Sequence, residues 1–160
     1  MQSSKVDFLS KYNTLVKQAI DASHDLPDNL CEFLLAEYEL QAVILFKVNE
    51  NNSFTIIGKS GEVKKNYIVN NTYECRTCKL LSNKLGNSAF NSQADCEIQV
   101  SEHVIYEGCI YIKINGKDDA LCKIAKKTPF SNTDRDNLQT IGEAAGNILK
   151  LWFGNKGSIT

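Results

Sequence analysis

An α+β fold built on a central antiparallel sheet of five to six strands is predicted by three observations. Strand-like segments follow one another across short polar turns, which joins them as antiparallel hairpins. Several of those segments are apolar on both alternations, so the sheet must be covered on both faces. Apolar residues at helical spacing open and close the chain, which supplies helices for one of those layers.

The elements follow in order. Phe8, Leu9, Tyr12, Leu15, Val16, Ala19 and Ile20 recur at intervals of three and four, predicting an amphipathic helix over Val6 to Ala22. Asp25-Leu26-Pro27 breaks it, and Pro27 suits the first turn of a second helix running to about Leu40. Ala42 to Val48 predicts a strand buried on both faces, and Ser53 to Gly58 returns as its hairpin partner. Gly61 to Asn71 is polar and reads as a mobile connection. Glu74 to Leu85 predicts a short helix with Leu80, Leu81 and Leu85 inward, stopped by Gly86. Asn87 to Asp95 reads as loop, followed by strands at Cys96 to Val100, Ile105 to Ile114 and Ala120 to Lys126. A last helix begins after Pro129-Phe130, with Ser131 as N-cap and Asp134 three residues on in a capping-box arrangement. It carries Leu138, Ile141, Ala145, Ile148, Leu149 and Trp152 inward and is expected to stop near Gly154.

The 160 residues make room for one ordinary domain with a core large enough to need neither disulfide nor metal. Eighteen Lys plus Arg against 19 Asp plus Glu leave a net charge of −1 without a basic stripe, which argues against a nucleic-acid partner. The longest apolar run, Ala42 to Phe46, is far short of the roughly 20 residues of a membrane span, so no direct membrane insertion is expected. Residues 1–10 lack a secretory core, and six cysteines then point to a reducing, cytoplasmic setting in which they are thiols before they are bridges. No Ser/His/Asp set, paired-carboxylate pocket or phosphate-cradling loop can be assembled, so the chain reads as non-catalytic.

This order of elements, with Ala120-Leu-Cys-Lys-Ile-Ala-Lys-Lys-Thr-Pro-Phe-Ser-Asn-Thr-Asp134 leading into the Leu138 and Ala144-Ala145 helix, resembles the GAF domain family. Its members commonly end in a strand, then Phe-Ser-x-x-Asp or Glu, then a helix with apolar and Ala positions. The resemblance spans about residues 10–152 and departs from the family where Asp119-Ala120 replaces the Gly that often opens the last strand. It implies a profilin/PAS-like sheet with terminal helices on one face and a pocket cover on the other. It also implies a single GAF-like domain over 1–160, the sensor part of a larger signalling protein such as a sensor histidine kinase, cyclic-di-GMP enzyme or phosphodiesterase. Many relatives hold a small ligand or chromophore on one sheet face and form homodimers through their terminal helices.

The residues narrow the subfamily. Cyclic-nucleotide binders carry an Asn-Lys pair and a later Phe-x-x-x-Asp-Glu; here Phe130 and Asp134 stand in place, but Arg135 takes the Glu position. The Asn-Lys pairs fall at Asn83-Lys84 and Asn155-Lys156, away from the family's place. Bilin binders commonly set a Cys beside a His, and neither His24 nor His103 has a cysteine neighbour. The Gly-rich surroundings of GAF-type methionine sulfoxide reductases are missing near Cys75, Cys78 and Cys96.

Cys75-Arg76-Thr77-Cys78 is the motif with distinct chemistry. Two thiols three apart at a helix start, beside Arg76 and Lys79, suit a reversible disulfide or two ligands of a metal. This leaves an alternative open: a thiol redox enzyme, or a metal or redox sensor using Cys75 and Cys78, with Cys96 and Cys109 completing four ligands if the fold gathers them. Otherwise the remaining cysteines are small apolar fillers. A Cys109–Cys122 bridge is disfavoured by alternation: Cys122 falls with Ile110, Ile112 and Ile114, and Cys109 points the other way beside Tyr111. His24 reads as a helix-end residue, His103 as a solvated turn, and Asp118-Asp119 as hairpin solvation.

The pocket lining expected beneath the cover of about 40 residues from Gly61 to Gln99 is Phe46, Tyr67, Cys75, Cys78, Leu81, Phe90, Tyr111 and Lys113. Aromatic and apolar walls with a lone cation suit a small planar or anionic ligand; ligand and cofactor identity stay open. Phe8, Tyr12, Leu15, Ile148 and Trp152 are the candidates for a dimer-forming helical bundle, with Trp152 and Phe153 expected to stand exposed in a monomer.

Overall fold

A computed structural model describes residues 5–50, 53–74, 88–91, 99–101, 106–114 and 119–158. The described elements are α1 (Lys5–Ile20), α2 (Leu26–Glu37), β1 (Ala42–Val48), β2 (Ser53–Gly61), β3 (Thr72–Glu74), β4 (Ser88–Asn91), β5 (Tyr106–Ile112), β6 (Ala120–Lys126) and α3 (Asn132–Ser158). The strands form one antiparallel sheet in the order β3-β2-β1-β6-β5-β4. The expected class therefore holds, with β1 and β6 at the centre because each is apolar on both alternations.

Several boundaries differ from expectation. Ser88–Asn91, expected as loop, pairs with β5, because a strand needs only backbone partners and Asn and Ser are tolerated at an edge. Thr72–Glu74 adds a short edge strand that its polar composition concealed. Val100, expected in a strand, lies outside any. The last helix runs past Gly154 to Ser158: a glycine lowers helix propensity by about 1 kcal/mol, which a long packed helix tolerates. The Gly61 to Asn71 connection, expected to be mobile, is tied down. Asn70 N–H donates to Ile56 O (2.8 Å), Lys64 N–H to Val100 O (2.9 Å) and Lys59 Nζ to Tyr67 O (2.7 Å). The expected helix over Glu74 to Leu85 falls almost wholly outside the described residues.

Each face of the sheet carries its own core. Val43, Leu45, Ile110, Ile112, Cys122 and Ile124 face all three helices. Ala42, Ile44, Phe46, Phe54, Ile56, Cys109, Tyr111, Leu121 and Ala125 face the opposite way and pack with Tyr67 and Val100 of the cover. A bulge in β2 adjusts the first of these layers. Leu45 pairs with Gly58 and Phe46 with Ile56, so Ile57 is extra and the alternation reverses. Gly58 is thereby turned toward the start of α2, and Asp28 Oδ1 accepts the Lys59 N–H at 3.0 Å.

The helix α3 starts as its sequence predicts. Asp134 N–H donates to Ser131 Oγ and Ser131 N–H donates to Asp134 Oδ2, each at 3.0 Å, while Lys126 Nζ reaches the same oxygen at 2.8 Å. Burial works to raise the Asp134 pKa, but the Lys126 hydrogen bond and charge together with the Ser131 amide and hydroxyl outweigh it, so the carboxyl lies below its ordinary value. A depressed folded-state pKa gives stability that is complete above the ordinary carboxylate value and lost as pH falls through the lower, folded-state value. Ser131→Ala is thus expected to cost about 1 kcal/mol at pH 7, and Asp134→Asn a cost that shrinks as pH falls below the ordinary carboxylate value. Urea unfolding as a function of pH reads both; a pH-independent difference for Asp134→Asn would contradict the geometry.

α1 and α3 run side by side in the same direction: Tyr12 Oη donates to Ala144 O (3.5 Å), and further along α3 Trp152 Nε1 donates to Ser23 O (2.8 Å) in the connection that follows α1. Trp152, expected to be exposed, is buried at 4 % because its indole fills the junction after α1, and Phe153 is half-buried against it.

Candidate functional site on the covered sheet face

The face opposite the helices is built from three cross-strand rows of β1, β6 and β5. They are Ala42–Ala125–Glu107, Ile44–Lys123–Cys109 and Phe46–Leu121–Tyr111. Phe46 meets Phe54 edge-on with ring centres 5.8 Å apart, and Tyr67 meets Tyr73 in the same way at 5.2 Å. The surface is therefore apolar and aromatic, and its polar groups are few and fixed.

One of those groups is at the β5–β6 turn. Asp119, expected to be a solvated turn residue, is buried; its Oδ2 accepts the Tyr111 hydroxyl at 2.5 Å and its Oδ1 the Ile114 N–H at 2.9 Å. Its backbone carbonyl accepts Val48 N–H at 2.9 Å, which ties the turn to β1. A buried carboxylate with a phenol and an amide on it is a rigid polar corner. A further polar group among the described residues is Lys123, 1 % exposed in the middle of β6. Lys113, the cation expected to line the pocket, lies exposed just beyond β5.

Of the remaining expected lining residues, Phe46 and Tyr111 lie fully buried on this face and Tyr67 is buried in the cover. Phe90 lies on β4 opposite Ile110. Cys75, Cys78 and Leu81 lie outside the described residues, as do Cys96, His103 and Asp118. The four-cysteine metal alternative cannot be traced beyond Cys109, and among the described residues no group of three or more His, Cys, Asp or Glu is placed to hold a metal ion. His24 is exposed in the turn between α1 and α2.

Sequence reasoning passed over Lys123 because Lys sits mostly at the surface. The signal was present: Lys123 alternates with Cys122 and Ile124, and its same-face neighbours Leu121 and Ala125 are themselves apolar in a strand paired on both sides. A lysine flanked in this way faces a covered layer.

Alternation correctly separated the two strand cysteines. Cys109 belongs to the covered face and Cys122 to the helix face, and Cys31 of α2 is buried beside Leu45 and Cys122. Burial pushes the Cys31 thiol well above its ordinary value, with Cys122 and Asp28 adding to it, and pushes Cys122 up to about 12. Native protein treated with iodoacetamide at pH 7.5 is expected to leave Cys31, Cys109 and Cys122 unlabelled, and urea to expose all three. Peptide mass spectrometry reads the outcome, and rapid native labelling at these positions would contradict the packing.

Phe8, Tyr12, Leu15, Ile148 and Trp152, expected at a dimer interface, all pack within the protomer: the last three are buried and the first two rest against the same core. The apolar residues left in solvent are their neighbours Val6, Leu9 and Ile20 on α1 and Leu151 on α3. None of the described helices is long and apolar enough to cross a membrane.

Comparison with known proteins finds the same architecture. No family model matches the sequence, and no curated protein matches it. Solved structures do. The phycoerythrobilin-bound GAF domain of a cyanobacterial phytochrome superposes with a TM-score of 0.65 at 10% identity, covering 95% of this chain and 97% of that one. The GAF domain of a phosphoenolpyruvate-protein phosphotransferase from Coxiella burnetii gives 0.64 at 12% identity, covering 98% and 99%. The nlh2 GAF domain of A. aeolicus in an inactive state gives 0.58 at 11% identity, covering 93% and 99%. The superpositions run over nearly the whole of both chains in each case: this chain has the GAF-domain fold.

Proposed function

We propose that this chain is a non-catalytic sensory or regulatory module that binds a small molecule between its sheet and the cover, and controls an attached signalling output through α1 and α3. The observation that carries the reading is the pair of separate cores. One face is committed to the helices, while the other carries an aromatic and apolar surface with a few fixed polar groups, the usual character of a small-molecule site. Structural neighbours with bound bilins are consistent with a ligand on such a fold. Its chemistry here differs, since no cysteine adjoins a histidine.

The output rests on the parallel terminal helices. Val6, Leu9 and Ile20 fall on one stripe of α1, at 76 %, 49 % and 56 % exposure, and Leu151 stands two turns beyond Ala144 on α3. A second copy packing along this stripe buries them and forms a parallel bundle able to pass a shift at the sheet to a following domain. Sedimentation of wild type and Leu9→Glu/Ile20→Glu tests the dimer: the double variant is expected to be monomeric with unchanged unfolding. Thermal unfolding against a small-molecule fragment library tests the ligand. Binding of no fragment and a monomeric wild type together would reject the reading.

A further inference from the structure

We propose that the groove between α1 and α2 is a second binding site, for a small organic cation that carries one ammonium on a compact apolar body. It lies away from the covered sheet face and does not depend on a ligand there. Residues 21–25 join the two helices, which therefore lie antiparallel as neighbours. The α1 face of the groove runs from Lys11 to Gln18 and the α2 face from Asn29 to Ala36, each at intervals of three and four. The cleft between them holds about 350 Å³, within the range of small-ligand sites. Polar pairs close its ends. Near the connection Asn29 Nδ2 donates to Gln18 Oε1 at 3.1 Å, and at the far end Lys11 Nζ stands 4.0 Å from Glu37 Oε1. Seven residues of helix, about 10 Å, separate the two. The floor is Leu15 and Phe33, both rooted in the helix-side core, with the Phe8 ring centre 5.3 Å from that of Phe33. Ala36 is too short to fill the space above this floor, and Thr14 donates its hydroxyl back along its own helix to Ser10 O at 3.0 Å.

Glu32 decides the sign of the charge. It stands exposed on the α2 rim between those ends, and among the described residues it has no hydrogen bond or ion pair. Its neighbours one helical turn away are Asp28, Asn29, Leu35 and Ala36, so no cation of α2 screens it and Asp28 adds a second negative charge. The lysine that reaches the groove from α1, Lys11, is held by Glu37 at the far end. The field over the floor is therefore negative, which favours a cation and opposes an anion. An ammonium beside Glu32 keeps part of its hydration while its carbon body rests on Leu15 and Phe33, so no charge has to be buried. An exposed pair of this kind contributes modestly, which sets the preference for an amine over a neutral molecule of the same shape at about two- to fivefold.

The test is a methyl-resolved NMR titration of the full chain with amine and alcohol pairs of one carbon skeleton: isopentylamine with isopentanol and benzylamine with benzyl alcohol, ammonium chloride serving as the salt control. At least one amine is expected to shift the Leu15 and Ala36 methyl resonances saturably and to bind about two- to fivefold more tightly than its alcohol. Glu32→Gln, an exposed substitution that leaves the fold intact, is expected to bring the amine down to the affinity of the alcohol. No shift at Leu15 with any compound, equal affinities of amine and alcohol, the same shifts with ammonium chloride, or a preference that survives in Glu32→Gln would overturn the cation site. Shifts at Ile44 and Leu121 in place of Leu15 would also overturn it and would support the ligand reading of the covered face. Shifts at Leu15 in a protein whose covered face takes no fragment would reject that reading and leave the groove site standing.

Discussion

Gly58→Ala is expected to destabilise the protein by about 3 kcal/mol, although it adds one methyl group to a strand. A Cβ at this position meets Pro27 C at 2.6 Å, Pro27 O at 2.7 Å and Asp28 N at 2.9 Å. All three are backbone atoms of the first turn of α2, so no side chain can swing aside, and α2 must lift from β2. That turn also receives the Lys59 N–H on Asp28, so the displacement breaks a hydrogen bond as well. Gly154→Ala provides the opposite case. Its Cβ meets nothing within 4 Å in an exposed stretch of α3, and the same substitution there is expected to stabilise by about 0.5–1 kcal/mol. Urea unfolding of the two variants side by side checks the pair. A Gly58→Ala protein within 0.5 kcal/mol of wild type would show that α2 is not seated on β2 as described.

Trp152→Ala is expected to cost about 3–5 kcal/mol. The indole is buried, donates to Ser23 O at 2.8 Å, meets Phe153 edge-on at 5.0 Å and carries Lys156 Nζ 4.4 Å over its ring. It therefore locks the end of α3 to the connection between α1 and α2. Trp152→Phe retains most of the burial and loses the hydrogen bond, so its expected cost is smaller, about 1–2 kcal/mol. Were Trp152 instead an interface residue between copies, Trp152→Ala would lower dimer affinity and leave monomer stability untouched. Chemical denaturation and sedimentation of the same variant separate the outcomes.

The central strands were legible because their order of apolar residues admits one interpretation. Ala42 to Val48 and Ala120 to Lys126 were bounded as observed, and alternation alone assigned Cys109 and Cys122 to opposite faces. The α3 cap was legible because Ser131 and Asp134 satisfy each other locally, without help from the rest of the fold. The edge strands were not. Ser88–Asn91 and Thr72–Glu74 are strands through backbone pairing with β5 and β2, a tertiary fact that polar side chains do not advertise.

The make-up of the covered face was half legible for the same reason. Phe46 and Tyr111 follow from alternation in strands already recognised. Lys123 and Asp119 were passed over because charged residues are read first as solvent-facing, and their burial depends on a cover that lies far away in the chain. Trp152 misled in the opposite direction: late apolar residues at a helix end resemble an interface until a partner from the other end of the chain, here Ser23, is in place.

The most direct test of the two-faced sheet is a methyl-resolved NMR titration, since neighbouring residues of single strands report on opposite layers. Ile44 and Leu121 face the cover, while Val43, Leu45 and Ile124 face the helices. With the fragment that raises Tm most, shifts are expected to concentrate at Ile44 and Leu121 and to leave the other three nearly unmoved. Shifts confined to Val43, Leu45 and Ile124 would place the ligand among the helices and contradict the account.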